Sequence, residues 1–179
     1  MFKGVLIAMA LTFAASTASA QLNTTPADKL ILETTKGTVT IALRSDIAPL
    51  HVARIKELTE KGFYDGVVFH RVIEGFMAQT GDPTGTGTGG SDLPDLKAEF
   101  TDTPYVRGTV GAARTGNPNS ANSQFFITFG DASFLNGQYT VWGQVVDGMD
   151  VVDKIAKGEP PANPDKITKA TIEQAAAAQ

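Results

Sequence analysis

The chain has 179 residues, a formal net charge of -4 and no cysteine. That length suits one domain with a sizeable core. Without cysteine there are no disulfides, no thiolate catalysis and no cysteine-ligated zinc, and mild acidity without basic clusters argues against nucleic acid as a partner.

The first predicted element is a targeting segment. Lys3 supplies a short positive region, and Gly4 to Ala15 is an apolar run too short to span a bilayer comfortably. Ala18-Ser19-Ala20 is an A-x-A cleavage site. Residues 1–20 are therefore expected to be a signal peptide, with Gln21 the new N-terminus. A buried N-terminal helix is the alternative. The product is expected to be exported to a periplasm, or secreted if the source has no outer membrane, with no membrane anchor.

Residues 21–29 are a polar lead-in, 30–173 the folded domain and 174–179 a flexible tail. Lys29 to Leu43 reads as a hairpin turning at Lys36-Gly37, with Val39, Ile41 and Leu43 alternating onto one face. Asp46 to Gly62 switches to helical spacing at Val52, Ile55 and Leu58, with Pro49 in the first turn and Gly62 as the stop. Short strands follow at Val67–Ile73, Phe76–Gln79, Thr109–Ala113, Gln124–Thr128 and Thr140–Val146. Met149 to Ala156 reads as a second helix and Lys166 to Glu173 as a closing strand. Many short strands with two helices imply one β-barrel or sandwich, and the strands alone do not decide between them.

Gly85 to Gly90 formally matches the dinucleotide fingerprint G-x-G-x-x-G, but it leads into Ser91-Asp92-Leu93-Pro94 rather than a helix. A flexible surface loop is the better reading. The two histidines do not build a hydrolase or a metal site. His51 in the first helix reads as a solvated side chain, and His70 alternates with Arg71 across a strand. More informative is the pairing of polar and apolar residues by strand period. Met77 shares a face with Gln79, and Gln124 with Phe126. Spacing alone leaves open whether Met77 and Phe126 are core, with the glutamines and Arg71 merely exposed.

Residue identities go further. Phe69 to Asp82, FHRVIEGFMAQTGD, closely resembles the signature segment of the cyclophilins, the cyclosporin-binding peptidyl-prolyl cis–trans isomerases. GTGTGGSD, NPNSANSQFFIT and FLNGQYTVWGQVVDGMDVVDKI follow in the family's order, so the resemblance runs from about Leu30 to Glu173 and is nearest to bacterial exported members. It implies a mainly β fold, a closed eight-stranded antiparallel barrel capped by two helices, with the active site on the outer wall. It also implies that Arg71, Gln79 and Gln124 are catalytic. Phe76, Met77, Phe126 and Leu135 match the proline pocket. Gly87, Thr88 and Gly89 match a loop lining a neighbouring pocket for residues before the proline.

Departures from the family pattern are expected to touch the inhibitor more than the reaction. Phe134 stands where many eukaryotic members have tryptophan, Tyr139 replaces a histidine, and Arg114 and Thr115 replace an alanine and an asparagine. Ile55 replaces a phenylalanine of the first helix, and Trp142 takes a core phenylalanine position. Arg114, Thr115, Phe134 and Tyr139 remain substrate-binding positions, and cyclosporin binding is expected to be weak. The implied reaction is rotation about X-Pro bonds, which needs no cofactor or metal. The expected partners are unfolded or refolding proteins, met by a monomer assisting the folding of exported chains. A proline-segment-binding chaperone with little turnover is the alternative, and an unrelated carbohydrate-binding barrel a more distant one.

Overall fold

Residues 27–176 are described in the computed structural model of the chain. The predicted signal peptide, most of the lead-in and the last residues of the tail, 177–179, lie outside them. Strands β1 (Lys29–Thr34) and β2 (Gly37–Leu43) form the expected hairpin. Leu30 pairs with Ile41 and Leu32 with Val39, so the alternating apolar positions meet on the buried face. Helix α1 (Pro49–Glu60) turns Val52, Ile55 and Leu58 inward and lies against the last two strands. No local side chain caps it. The carboxylate of Glu99 accepts from the amides of Leu50 and His51 instead, at 3.0 Å each, placing a negative charge at the positive end of the helix dipole.

That arrangement corrects the reading of His51 as solvated. The side chain is buried, and Nδ1 lies 2.6 Å from Glu99 Oε2. Burial pushes the imidazole below its ordinary pKa, against the opposing pull of Glu99.

The remaining strands are β3 (Arg71–Ile73), β4 (Met77–Thr80), β5 (Thr109–Ala112), β6 (Phe125–Thr128), β7 (Val141–Asp147) and β8 (Ile167–Glu173). A 3-10 turn at Ser133–Leu135 and helix α2 (Met149–Asp153) complete the elements among the described residues. All eight strands join one antiparallel sheet in the order β3-β4-β6-β5-β7-β2-β1-β8. Trp142 and Phe125 meet edge to face at 5.3 Å in its main core, beside Tyr64.

The expected closed barrel is corrected to an open half-barrel. β8 and β3 are the two edges of the sheet and do not pair as a ladder. Isolated bridges and a few backbone hydrogen bonds span the gap: Val68 bridges Lys166, Val72 bridges Gly158, the Phe69 amide donates to Asp165 O at 2.8 Å, the Gly66 amide to Ile167 O at 2.7 Å and the Ile167 amide to Val67 O at 2.9 Å. The segment that would have to close the seam contains Pro160, Pro161 and Pro164. Proline has no N–H to offer a ladder. β3 accordingly covers only Arg71–Ile73 of the longer strand expected from Val67.

Candidate active site

The register of the short strands builds the site. Arg71 pairs with Gln79 across β3 and β4, Gln79 with Phe126 across β4 and β6, and Phe126 with Gly111 across β6 and β5. Directly opposed residues share a face, so a guanidinium, an amide and a phenyl ring form one row outside the main core. Gly111 ends that row because a larger residue would not fit. A Cβ there would stand 2.8 Å from the Phe126 ring and closer still to the hydroxyl of Tyr105.

Around this row lies a second, smaller apolar cluster. Met77, Tyr105, Phe126, Leu135 and Val141 are buried in it, with Phe76 and Tyr139 packed at its margin. Its open side is a cavity of about 460 Å³ lined by Arg71, Phe76, Met77, Gln79, Arg114, Phe126, Phe134, Leu135 and Tyr139. Phe134 is 63% exposed and leans on Phe76 at 5.3 Å. Tyr139 presents its ring edge-on to Phe126 at 5.9 Å. Arg114 stacks over Tyr139, with Cζ 4.3 Å from the ring centroid, while Nη2 donates to Gln138 O at 2.7 Å.

An adjoining cavity of about 450 Å³ is lined by Gly87, Thr88, Gly89, Asp95, Thr115, Asn122 and Gln124, and shares Gln79, Ala113 and Arg114 with the first. Gln79 Nε2 donates to Gln124 Oε1 at 2.9 Å, and Gln124 Nε2 donates onward to the carbonyls of Gly87 and Gly89 at 3.0 and 2.8 Å. Every site residue expected from the sequence thus lines one of these two cavities. His70 is buried while Arg71 is exposed, as strand alternation requires.

The glycine loop is better organised than the flexible surface loop expected from its composition. The buried carboxylate of Asp82 accepts from the amides of Thr84, Thr86, Gly87 and Gly89, at 2.8, 3.1, 2.6 and 3.1 Å. Burial alone would raise the Asp82 pKa, but the hydrogen bonds from Thr84, Gly89 and Gly87 outweigh it and hold the carboxyl down at about 2. No helix follows the loop, so it has no phosphate-binding end.

Three groups escaped sequence reading. Tyr105 stacks on Phe126 at 5.7 Å and backs the pocket. Burial pushes its phenol pKa upward. Glu159 accepts from Arg71 Nε at 2.8 Å, whereas Arg71 Nη1 reaches Gln79 Oε1 at 3.5 Å. The Gln138 carbonyl anchors Arg114. Only the stacked tyrosine carried any signal, as a lone aromatic before a β-strand.

The family model described as cyclophilin type peptidyl-prolyl cis-trans isomerase/CLD matches residues 29–174. A probable peptidyl-prolyl cis-trans isomerase of Brucella suis is 58% identical over 164 residues, covering 83% of this chain and 84% of the relative. Among solved structures, a cyclophilin from Hirschia baltica aligns with a TM-score of 0.74 at 33% identity, over 80% of this chain and 73% of its own. A Cryptosporidium parvum cyclophilin type peptidyl-prolyl cis-trans isomerase, solved in the presence of the dipeptide ala-pro, aligns with a TM-score of 0.76 at 30% identity, over 81% of this chain and 98% of its own. A match over that span, in sequence and in fold alike, leaves one assignment: the chain belongs to the cyclophilin-type peptidyl-prolyl cis-trans isomerases.

Proposed function

We propose that the chain is an exported isomerase acting as a monomer on unfolded and refolding proteins, with Arg71 as its catalytic donor. Rotation about a peptide bond faces a barrier of about 18–20 kcal/mol because C–N has partial double-bond character. Cis and trans X-Pro lie within about 0.5–1 kcal/mol yet interconvert over tens of seconds or longer. No bond is broken, so the enzyme needs only to bind the twisted amide better than either planar form. In the twisted state the proline nitrogen recovers its lone pair and accepts a hydrogen bond. A guanidinium donates to it and keeps its charge at any physiological pH.

Phe76, Met77, Phe126 and Leu135 hold the proline ring and exclude water, which strengthens that bond in a lower dielectric. Gln79 steadies Arg71. Gln124, with Gly87, Thr88, Gly89, Arg114 and Thr115, receives the chain before the proline. The observation carrying this reading is the cross-strand row Arg71-Gln79-Phe126, which brings the guanidinium and the phenyl ring to the lining of one cavity. A protease-coupled assay on a prolyl peptide tests it. Acceleration that saturates with peptide supports it, and peptide binding without acceleration opposes it.

Export carries its own expected result. Mass spectrometry of protein recovered from the periplasm or medium should find a chain starting at Gln21, and a cell-associated form retaining residues 1–20 would contradict export.

Inhibition follows from Phe134. An indole at this position would offer an N–H to an acceptor on cyclosporin, whereas Phe134 supplies an exposed ring without a donor. Losing such a bond costs about 0.5–1.5 kcal/mol, and more if the orphaned group is desolvated. Cyclosporin affinity should fall about tenfold or more below that of a tryptophan-containing member. Phe134→Trp should recover part of the gap with little change in turnover. Tight wild-type binding in a titration, or no gain in the tryptophan variant, would show that Phe134 does not control the pocket.

A further inference from the structure

Arg71 carries a long, half-exposed side chain, and a reaction that depends on one donor needs that donor held in place as the amide twists. Gln79 alone does this weakly, because its 3.5 Å contact to Nη1 is at the limit of a hydrogen bond. The short bond is the one behind it, from Arg71 Nε to Glu159 Oε1 at 2.8 Å. Two points of attachment, Nε and Nη1, fix the plane of the guanidinium. Nη2 is left without an acceptor among the described residues.

The backbone explains why Glu159 is there. The Val72 amide donates to Gly158 O and the Gly158 amide donates to Val72 O, both at 2.8 Å. This isolated antiparallel bridge sets the register one residue on, so that Arg71 faces Glu159 as a cross-strand neighbour. Gly158 has φ +147, and a Cβ there would stand 2.6 Å from the Pro161 Cα and 2.8 Å from the Pro160 carbonyl oxygen. The turn that carries Glu159 therefore depends on a glycine.

Glu159 is absent from the lining of the cavity between Phe76 and Phe126. It lines a third cavity of about 590 Å³, with His70, Gly87 and Pro160, on which Arg71 and Gln79 also border. The carboxylate thus stands behind the guanidinium, away from the proline.

We propose that Glu159 is a positioning residue for isomerisation, acting only through Arg71, whose plane it fixes so that the remaining N–H groups serve the twisted amide. This rests on the reading of Arg71 as donor. The pair is exposed, with side chains 45% and 54% accessible. Exposed pairs add little to folding, so its loss is read in turnover.

The test compares Glu159→Ala, Glu159→Gln, Arg71→Ala and the Arg71→Ala/Glu159→Ala double variant of the full chain, by cis–trans exchange NMR on an Ala-Pro peptide. Glu159→Ala should lower kcat about three- to tenfold, with KM within about twofold and Tm unchanged. Glu159→Gln retains a side-chain carbonyl acceptor and should recover much of the loss. In the Arg71→Ala background, Glu159→Ala should change nothing further, because its only route to the reaction is gone. Wild-type kcat in Glu159→Ala, or the same fold-loss with and without Arg71, would overturn the proposal while leaving the Arg71 reading intact. Unchanged turnover in Arg71→Ala alone would overturn both.

Discussion

Arg71→Ala is expected to lower kcat/KM by well over tenfold while leaving the melting temperature unchanged. The fold does not need the side chain, which is half exposed and whose ion pair with Glu159 is open to solvent. Such pairs contribute about 0–1 kcal/mol. With Arg71 as the proposed donor, the reaction does need it. A charge-assisted hydrogen bond made in the twisted state contributes about 1.5–3 kcal/mol, and each 1.36 kcal/mol is a decade of rate. Arg71→Lys should rescue little, because a lysine has no planar fork to bond Glu159 and Gln79 while still presenting a donor. A protease-coupled assay on the three proteins gives the answer. Near-normal activity in the lysine variant would mean that charge, and not guanidinium geometry, serves the reaction.

Phe126→Ala is expected to damage binding and stability together. The ring is 5% exposed, stacks on Tyr105 and lines the cavity proposed to take the proline. Removing a buried phenylalanine costs about 3–5 kcal/mol, and the open cavity at one side points to the lower end of that range. A bound proline would also lose its apolar floor. Full burial of such a ring contributes about 1.5–3 kcal/mol, which is one to two decades of affinity. Phe126→Leu should keep more of the fold and still weaken peptide binding. Calorimetry and peptide titration on both variants separate the two effects. A lower Tm with unchanged peptide affinity would confine Phe126 to packing within its cluster.

Period and punctuation were enough to place the β1–β2 hairpin and α1, because Val39, Ile41 and Leu43 repeat at two while Val52, Ile55 and Leu58 repeat at helical spacing. Closure of the sheet was not legible. It depends on whether residues 158–166 pair with β3, and the prolines there limit that pairing to isolated bridges. His51 was misread for a related reason, since its burying partner Glu99 lies 48 residues away and belongs to no strand. At the site, residue identities carried the information and spacing did not. Strand period put Met77 beside Gln79 but gave no cause to prefer groove over core, and both halves of that choice hold in part. Met77 and Phe126 are buried, yet in a cluster of their own that opens on a cavity beside the exposed Arg71. Glu159 is an acid in a proline-rich loop, with no local pattern that marks it for a role. Its role comes from register with Arg71 across a bridge that no local pattern announces.

With Arg71 as donor, the groove beside it is expected to speed rotation rather than merely hold proline. Exchange NMR on an Ala-Pro peptide with a catalytic amount of the full chain separates the two. Uncatalysed interconversion takes tens of seconds or longer. The predicted result is magnetisation exchange between cis and trans proline signals within a second, largely lost when Arg71→Ala is used at the same peptide occupancy. Peptide shifts that report saturation of the groove, without faster exchange, would contradict it and leave a proline-binding module.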